Sequence, residues 1–203
     1  GVVIENIGVG IMVETPAASL LADRLAEVAD FFSIGTNDLI GYTMCADRGN
    51  DTISNLYQVY YPAVLRSLKN IIGSGVKAGI MVGMCGEAAA DPLLEPLLIS
   101  WGLEEFSMSA PSILRARKTI SQWTKAECDE LAEKALACNT AAEVKALAAG
   151  NPMIKEKMDL DIQVSKLKLM KANHTSQKYR LEDNITQHYP HQIAVFKERI
   201  EGF

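Results

Sequence analysis

Residues 30–50 read DFFSIGTNDLIGYTMCADRGN, and this run decides both the fold class and the place to look for chemistry. Its first six residues, Asp30 to Gly35, are an apolar stretch that stops on Gly35, Thr36, Asn37 and Asp38, with Arg48 following. A strand ending in this way places an amide, a carboxylate and a guanidinium at one mouth. Carboxylate oxygen suits Mg2+, a hard cation, and arginine forks onto carboxylate or phosphate. The run is expected to hold a doubly anionic, phosphate-bearing substrate through a hard metal ion, and to serve phosphoryl transfer.

The same pattern recurs on either side. Strands are expected over Gly10 to Glu14 (GIMVE), Asp30 to Gly35, Ile80 to Cys85 and Glu105 to Met108, each ending on small or polar residues. Helical patterns run from Pro16 to about Ala29, from about Pro62 to Gly73, from about Pro92 to Ser100 and from Pro111 to about Trp123. Proline at each start fits the first turn, where its missing N–H leaves no bond unmade. Strands alternating with helices are the rhythm of a parallel sheet, so the fold class is α/β. A complete βα barrel takes about eight such units. If the four units belong to a (βα)8 barrel of the TIM type they are half of one, with two sheet edges that need cover; otherwise they form an open four-stranded sheet.

Residues 125–148 read as two small helices, with Asn139 and Thr140 as the break and N-cap. Gly150, Asn151 and Pro152 form a stop. Beyond them Met153, Leu160 and Leu167 recur every seven residues, and Tyr189, Ile193, Phe196, Ile200 and Phe203 step by four and three. A helical hairpin or coiled-coil tail is expected there.

Composition narrows the function classes. The net charge of −5 divides unevenly: residues 1–150 hold 11 Lys+Arg against 18 Asp+Glu, and residues 151–203 hold 9 against 7. Neither balance supports broad nucleic-acid binding. No apolar run reaches the ~20 residues of a bilayer span and no basic start leads into a signal segment, so a cytoplasmic protein without membrane association is expected. Cys45, Cys85, Cys128 and Cys138 lack CxxC spacing, which supports neither a zinc site nor a disulfide framework.

Glu14, Asp38 and Cys85 each stand at or just past the carboxyl end of a different strand, and in a parallel sheet those ends converge on one face. Two such carboxylates can hold one Mg2+ and leave positions for substrate oxygens and water. Each residue also has an ordinary reading. Glu14 can be an acid favoured at a helix start, and Asn37 and Asp38 can be caps or an Asx turn. Arg48 can pair with Asp47 on the surface, Cys85 can be a small buried residue, and Glu87 can be a partner or a solvated charge.

Together the residues resemble a known family. GIMVETPAA, DFFSIGTNDL with YT and DRGN after it, GMCGE, and EFSMSAPSILRAR stand in the order and spacing of the phosphoenolpyruvate-binding barrel of phosphoenolpyruvate–protein phosphotransferase, enzyme I of the bacterial sugar phosphotransferase system. The similarity covers the C-terminal part of that barrel, over residues 1 to about 148. The asparagine–aspartate block is diagnostic of enzymes that use phosphoenolpyruvate in this way. The resemblance implies Glu14 and Asp38 as Mg2+ ligands, with Asn37, Asp38 and Arg48 gripping phosphoenolpyruvate. Cys85 is then the acid or base at the substrate's methylene carbon. It also implies pyruvate as product and a phosphocarrier protein as partner, while the uncovered sheet edges of a half-barrel lead to an expectation of self-association.

Three departures qualify this. Gly41 stands where the family usually has glutamine, which loosens the support behind Asp38. The first half of the barrel, with further phosphate-binding arginines, is not in this sequence, and neither is the phosphoacceptor histidine domain. His174, His188 and His191 lie in no resembling context. The chain alone is therefore expected not to complete the transfer cycle. From about Gly150 the sequence resembles a helical segment of helicase-like proteins of mobile elements, yet no GxxxxGK[ST] occurs. The expected organisation is a partial barrel over 1–124, its C-terminal helices over 125–149, and a helical tail over 150–203 unrelated to the barrel, joined near Ala149 and Gly150. The competing readings are a barrel fragment of the pyruvate-phosphate dikinase or phosphoenolpyruvate synthase type, and a non-catalytic interaction module.

Overall fold

A computed structural model describes residues 7–150 of the chain. Four strands, β1 (Gly10–Val13), β2 (Phe31–Gly35), β3 (Met81–Cys85) and β4 (Glu105–Phe106), lie side by side in that order, all parallel. Helices α1 (Pro16–Leu20) and α2 (Ala22–Leu25) follow β1, and α3 (Thr36–Met44) and α4 (Pro62–Ala78) follow β2. Helix α5 (Glu95–Trp101) follows β3, and α6 (Ala110–Ser121), α7 (Lys125–Ala137) and α8 (Ala141–Gly150) follow β4. Single 3-10 turns occupy Asp51–Ile53 and Glu87–Ala90.

The α/β class and all four strands are as expected, although β4 is only two residues long. The helices differ in detail. The segment expected as one helix from Pro16 breaks at Leu21 into α1 and α2. Pro16, Pro62 and Pro111 do sit in first turns, but Pro92 does not. There the Asp91 carboxylate accepts the Leu93 N–H at 2.9 Å and turns the chain, and α5 starts at Glu95 with Pro96 in its first turn. Helix α4 continues past Gly73 to Ala78, with Gly75 buried close against Val82 of β3. Helix α7 opens with a capping box between Thr124 and Glu127. Thr140 caps α8 by accepting the Glu143 N–H at 3.2 Å, as expected.

Side chains alternate across a sheet, and here the two faces differ. Val13, Phe32, Ile34, Val82 and Met84 point to one face and are buried. Helix α4 contributes Leu65, Leu68, Ile71 and Ile72 to this core, all fully buried. Each such side chain contributes about 1.5–3 kcal/mol. The opposite face carries Met12, Ser33, Gly83 and Glu105 in one row and is half open, with Met12 46% and Met81 41% exposed.

Among the described residues β1 and β4 each pair on one side only. Ile7, Val9, Leu20, Leu21 and Val28 are exposed around β1 and α1–α2, and Ile113 and Leu114 on α6. No described helix is long and apolar enough to cross a membrane. The seven-residue recurrence from Met153, the later apolar steps and the three histidines lie outside the described residues.

Candidate functional site

Strand register assembles the first part of the site. Val13 pairs with Ile34, and Gly35 pairs with Cys85. Glu14, the residue after Val13, therefore stands in one row with Gly35 and Cys85 across three carboxyl ends. A Cβ built on Gly35 falls 2.8 Å from the Cβ of Glu14, closer still to its carboxylate, and 3.1 Å from Met12 Cε. The Glu14 side chain thus lies over the end of β2, in the space that a side chain at 35 requires. Close approach makes glycine necessary there.

Helix α3 begins at Thr36 with no residue between it and β2. Thr36 is buried, and its hydroxyl donates to the Cys85 carbonyl at 2.9 Å, fastening the helix start to the end of β3. Gly86, at φ 102°, makes the turn that follows, and a Cβ there would meet Thr36 Oγ1 at 2.5 Å. Asn37 and Asp38 are consequently first-turn helical residues rather than members of a loop or Asx turn. Asp38 is exposed there, where the helix dipole favours a carboxylate. The Cys85 thiol is half-buried and donates weakly to the Ile34 carbonyl, 3.5 Å away.

Arg48 lies on the connection between α3 and α4. It does not pair with Asp47, whose carboxylate accepts the Gly49 N–H at 3.0 Å. Its Nη2 donates to Glu87 Oε1 at 2.5 Å instead, across 39 positions of sequence. The Glu87 carboxyl is held below the usual carboxylate range, chiefly by its own backbone N–H and against some desolvation. Hydrogen bonds from the Arg48 and Asn37 side chains add to the lowering.

Tyr57, absent from every motif, completes the group. Its hydroxyl donates to the Asn37 carbonyl at 2.8 Å. Burial raises its phenol above the ordinary range, Arg48 opposes that, and Glu87 and Asp38 add to it, so Tyr57 stands within the field of all three charged residues. Tyr60 on the same connection donates to Asp91 Oδ2, and Lys145 Nζ of α8 sits 5.2 Å from its ring centroid. Burial, then Asp91, pushes its phenol well above the usual range. The two tyrosine hydroxyls anchor the connection that carries Arg48. Only the way the connection folds back against α3 and the turn at Asp91 reveals this, and no local spacing announces it. Ser109, past β4, bonds Ser112 at 3.1 Å at the start of α6.

Among the described residues no group of three or more His, Cys, Asp or Glu side chains could hold a metal ion by itself. Glu14, cradled over Gly35, and Asp38, on the first turn of α3, are carboxylates at this mouth that are not engaged with Arg48, as Glu87 is. That donor set fits Mg2+, which takes one or two carboxylates and completes its shell with phosphate oxygens and water.

Carboxylates, a thiol and an arginine stand at the carboxyl ends of a parallel βα sheet, which is where proteins of the α/β class place their ligand sites. The chain belongs to the family of PEP-utilising enzymes, as their PEP-binding domain; residues 2–125 match that family. It is 52% identical over 139 residues to the phosphoenolpyruvate-protein phosphotransferase of Latilactobacillus sakei, covering 68% of this chain and 24% of that protein. To the protein of the same name from Listeria monocytogenes it is 54% identical over 140 residues, 69% and 24% of the two chains. To that of Enterococcus faecalis it is 52% identical over 149 residues, 72% and 26%. The chain thus spans about a quarter of the length of these relatives.

Proposed function

We propose that residues 1–124 are the C-terminal half of a phosphoenolpyruvate-binding (βα)8 barrel and residues 125–149 its closing helices. In this reading the tail, 150–203, is a separate unit. The site serves phosphoryl transfer from phosphoenolpyruvate to a protein histidine, with release of pyruvate, as one part of a cytoplasmic sugar phosphotransferase enzyme. The observation that carries this reading is the row of Glu14, Gly35 and Cys85 across three strand ends, with Asn37 and Asp38 on the helix turn beside it. Identity of 52–54% to relatives bearing the phosphotransferase name favours this over the dikinase-type reading.

Glu14 and Asp38 would hold Mg2+, which when bound neutralises charge on the phosphate and the developing enolate. Asn37 and Arg48 orient the anionic groups of the substrate. Once the phosphoryl group has left the enol oxygen for the acceptor nitrogen, Cys85 gives its thiol proton to the methylene carbon, and Arg48 stabilises the enolate until that bond forms. Titration of the purified chain with phosphoenolpyruvate is expected to show weak binding with Mg2+ and none without it. Absence of binding at millimolar ligand in the presence of Mg2+ would favour the non-catalytic module.

Half a barrel leaves open the faces described at β1 and α6. Light scattering is expected to give a mass at least twice the 22.1 kDa of one chain, since exposed strand edges and apolar patches of this kind recruit partners. A monodisperse monomer would count against the half-barrel.

A further inference from the structure

The Arg48–Glu87 pair engages the very donors that the proposed function gives to substrate. The Glu87 carboxylate accepts from the Arg48 guanidinium, and the Asn37 amide lies beside the preceding residue, Gly86, where an added Cβ would meet Asn37 Oδ1 at 3.5 Å. A guanidinium donating to a carboxylate, with an amide beside it, is the arrangement that a ligand carboxylate or phosphate edge would adopt. Both partners are largely exposed, 59% for Arg48 and 68% for Glu87, so the pair is a weak contact open to competition. Glu87 also sits where exchange is easy. It opens the 3-10 turn just past Cys85, while Arg48 rides on a connection outside helix and strand.

We propose that Glu87 is an internal counter-anion that occupies the ligand's anion subsite, so that binding exchanges its carboxylate for the phosphate or carboxylate of the incoming ligand on Arg48 and Asn37. This deepens the reading given above and rests on it for the identity of the ligand. The competing role, Glu87 as a brace that holds Arg48 in its productive pose, predicts the opposite sign on substitution.

Glu87→Gln and Glu87→Ala in the full chain, titrated with phosphoenolpyruvate at saturating Mg2+, are expected to bind about threefold to fivefold more tightly than the unsubstituted protein, the range an exposed pair can supply. In the absence of ligand, modification of Arg48 by phenylglyoxal, followed by peptide mass analysis, is expected to accelerate by a similar factor, and millimolar inorganic phosphate is expected to slow it. Equal or weaker affinity in both variants, or unchanged Arg48 reactivity, would overturn the proposal. If phosphoenolpyruvate binds none of the three proteins, the substrate assignment fails. The Arg48 measurement then decides alone: faster modification with phosphate protection upholds the counter-anion, and an unchanged rate removes it.

Discussion

Asp38→Asn abolishes Mg2+-dependent binding of phosphoenolpyruvate: this is the expected result, with a loss of at least about 100-fold in affinity. Removing a residue that merely supports a metal ligand costs about 10–100-fold, and Asp38 is one of two proposed ligands. Asparagine keeps the shape and an acceptor oxygen but has no charge to offer a hard cation. The fold should survive, because Asp38 is exposed on the first turn of α3 and its dipole contribution is only about 0.3–1 kcal/mol. Calorimetric titration with and without Mg2+, beside an unfolding curve, separates the two effects. Unaltered Mg2+ dependence in a folded variant would remove Asp38 from the site.

Gly35→Ala is expected to damage stability and site together. Its Cβ would fall 2.8 Å from that of Glu14 and collide with the carboxylate beyond it. Neither β1 nor β2 can move aside without breaking the pairing of Val13 with Ile34. Overpacking of this sort costs about 1–3 kcal/mol, and displacing Glu14 removes the other proposed Mg2+ donor. Gly41→Ala is the control. A Cβ there meets Ala46 O at 3.4 Å and the Tyr57 ring at 3.7 Å, ordinary contacts, inside α3, where alanine is favoured over glycine by about 0.5–1 kcal/mol. Urea midpoints should therefore move in opposite directions. Two substitutions with equal effects would contradict the placement of Glu14 over Gly35.

The strands were legible because buried parallel strands are short apolar runs closed by small residues, and GIMVE, DFFSIG and IMVGMC all have that form. Helix α3 was not. Asn37 and Asp38 favour turns, Gly41 weakens a helix, and Gly35 supplies no side-chain cap. Burial of Thr36, Leu39 and Ile40 overrides those local preferences. Candidate residues at strand ends could be named from the sequence because parallel topology forces them onto one face. The partner of Arg48 could not be: Asp47 is its neighbour in sequence, while Glu87 is brought to it by the fold. Tyr57 escaped for the same reason, its contact with Asn37 being a matter of how one connection folds back.

The absence of any residue between β2 and α3 has a kinetic consequence. Asp38 cannot shift without dragging the end of β2, and Glu14 is laid across that same end, so the two carboxylates are pre-positioned by the sheet. Arg48 is held less directly, on a connection fixed by the Ala46 N–H to the Gly41 carbonyl, by tyrosine hydroxyls and by an exposed ion pair. Cation capture at this mouth should accordingly be a single fast phase, and anion capture should bring a second, slower relaxation as the arginine's connection resettles.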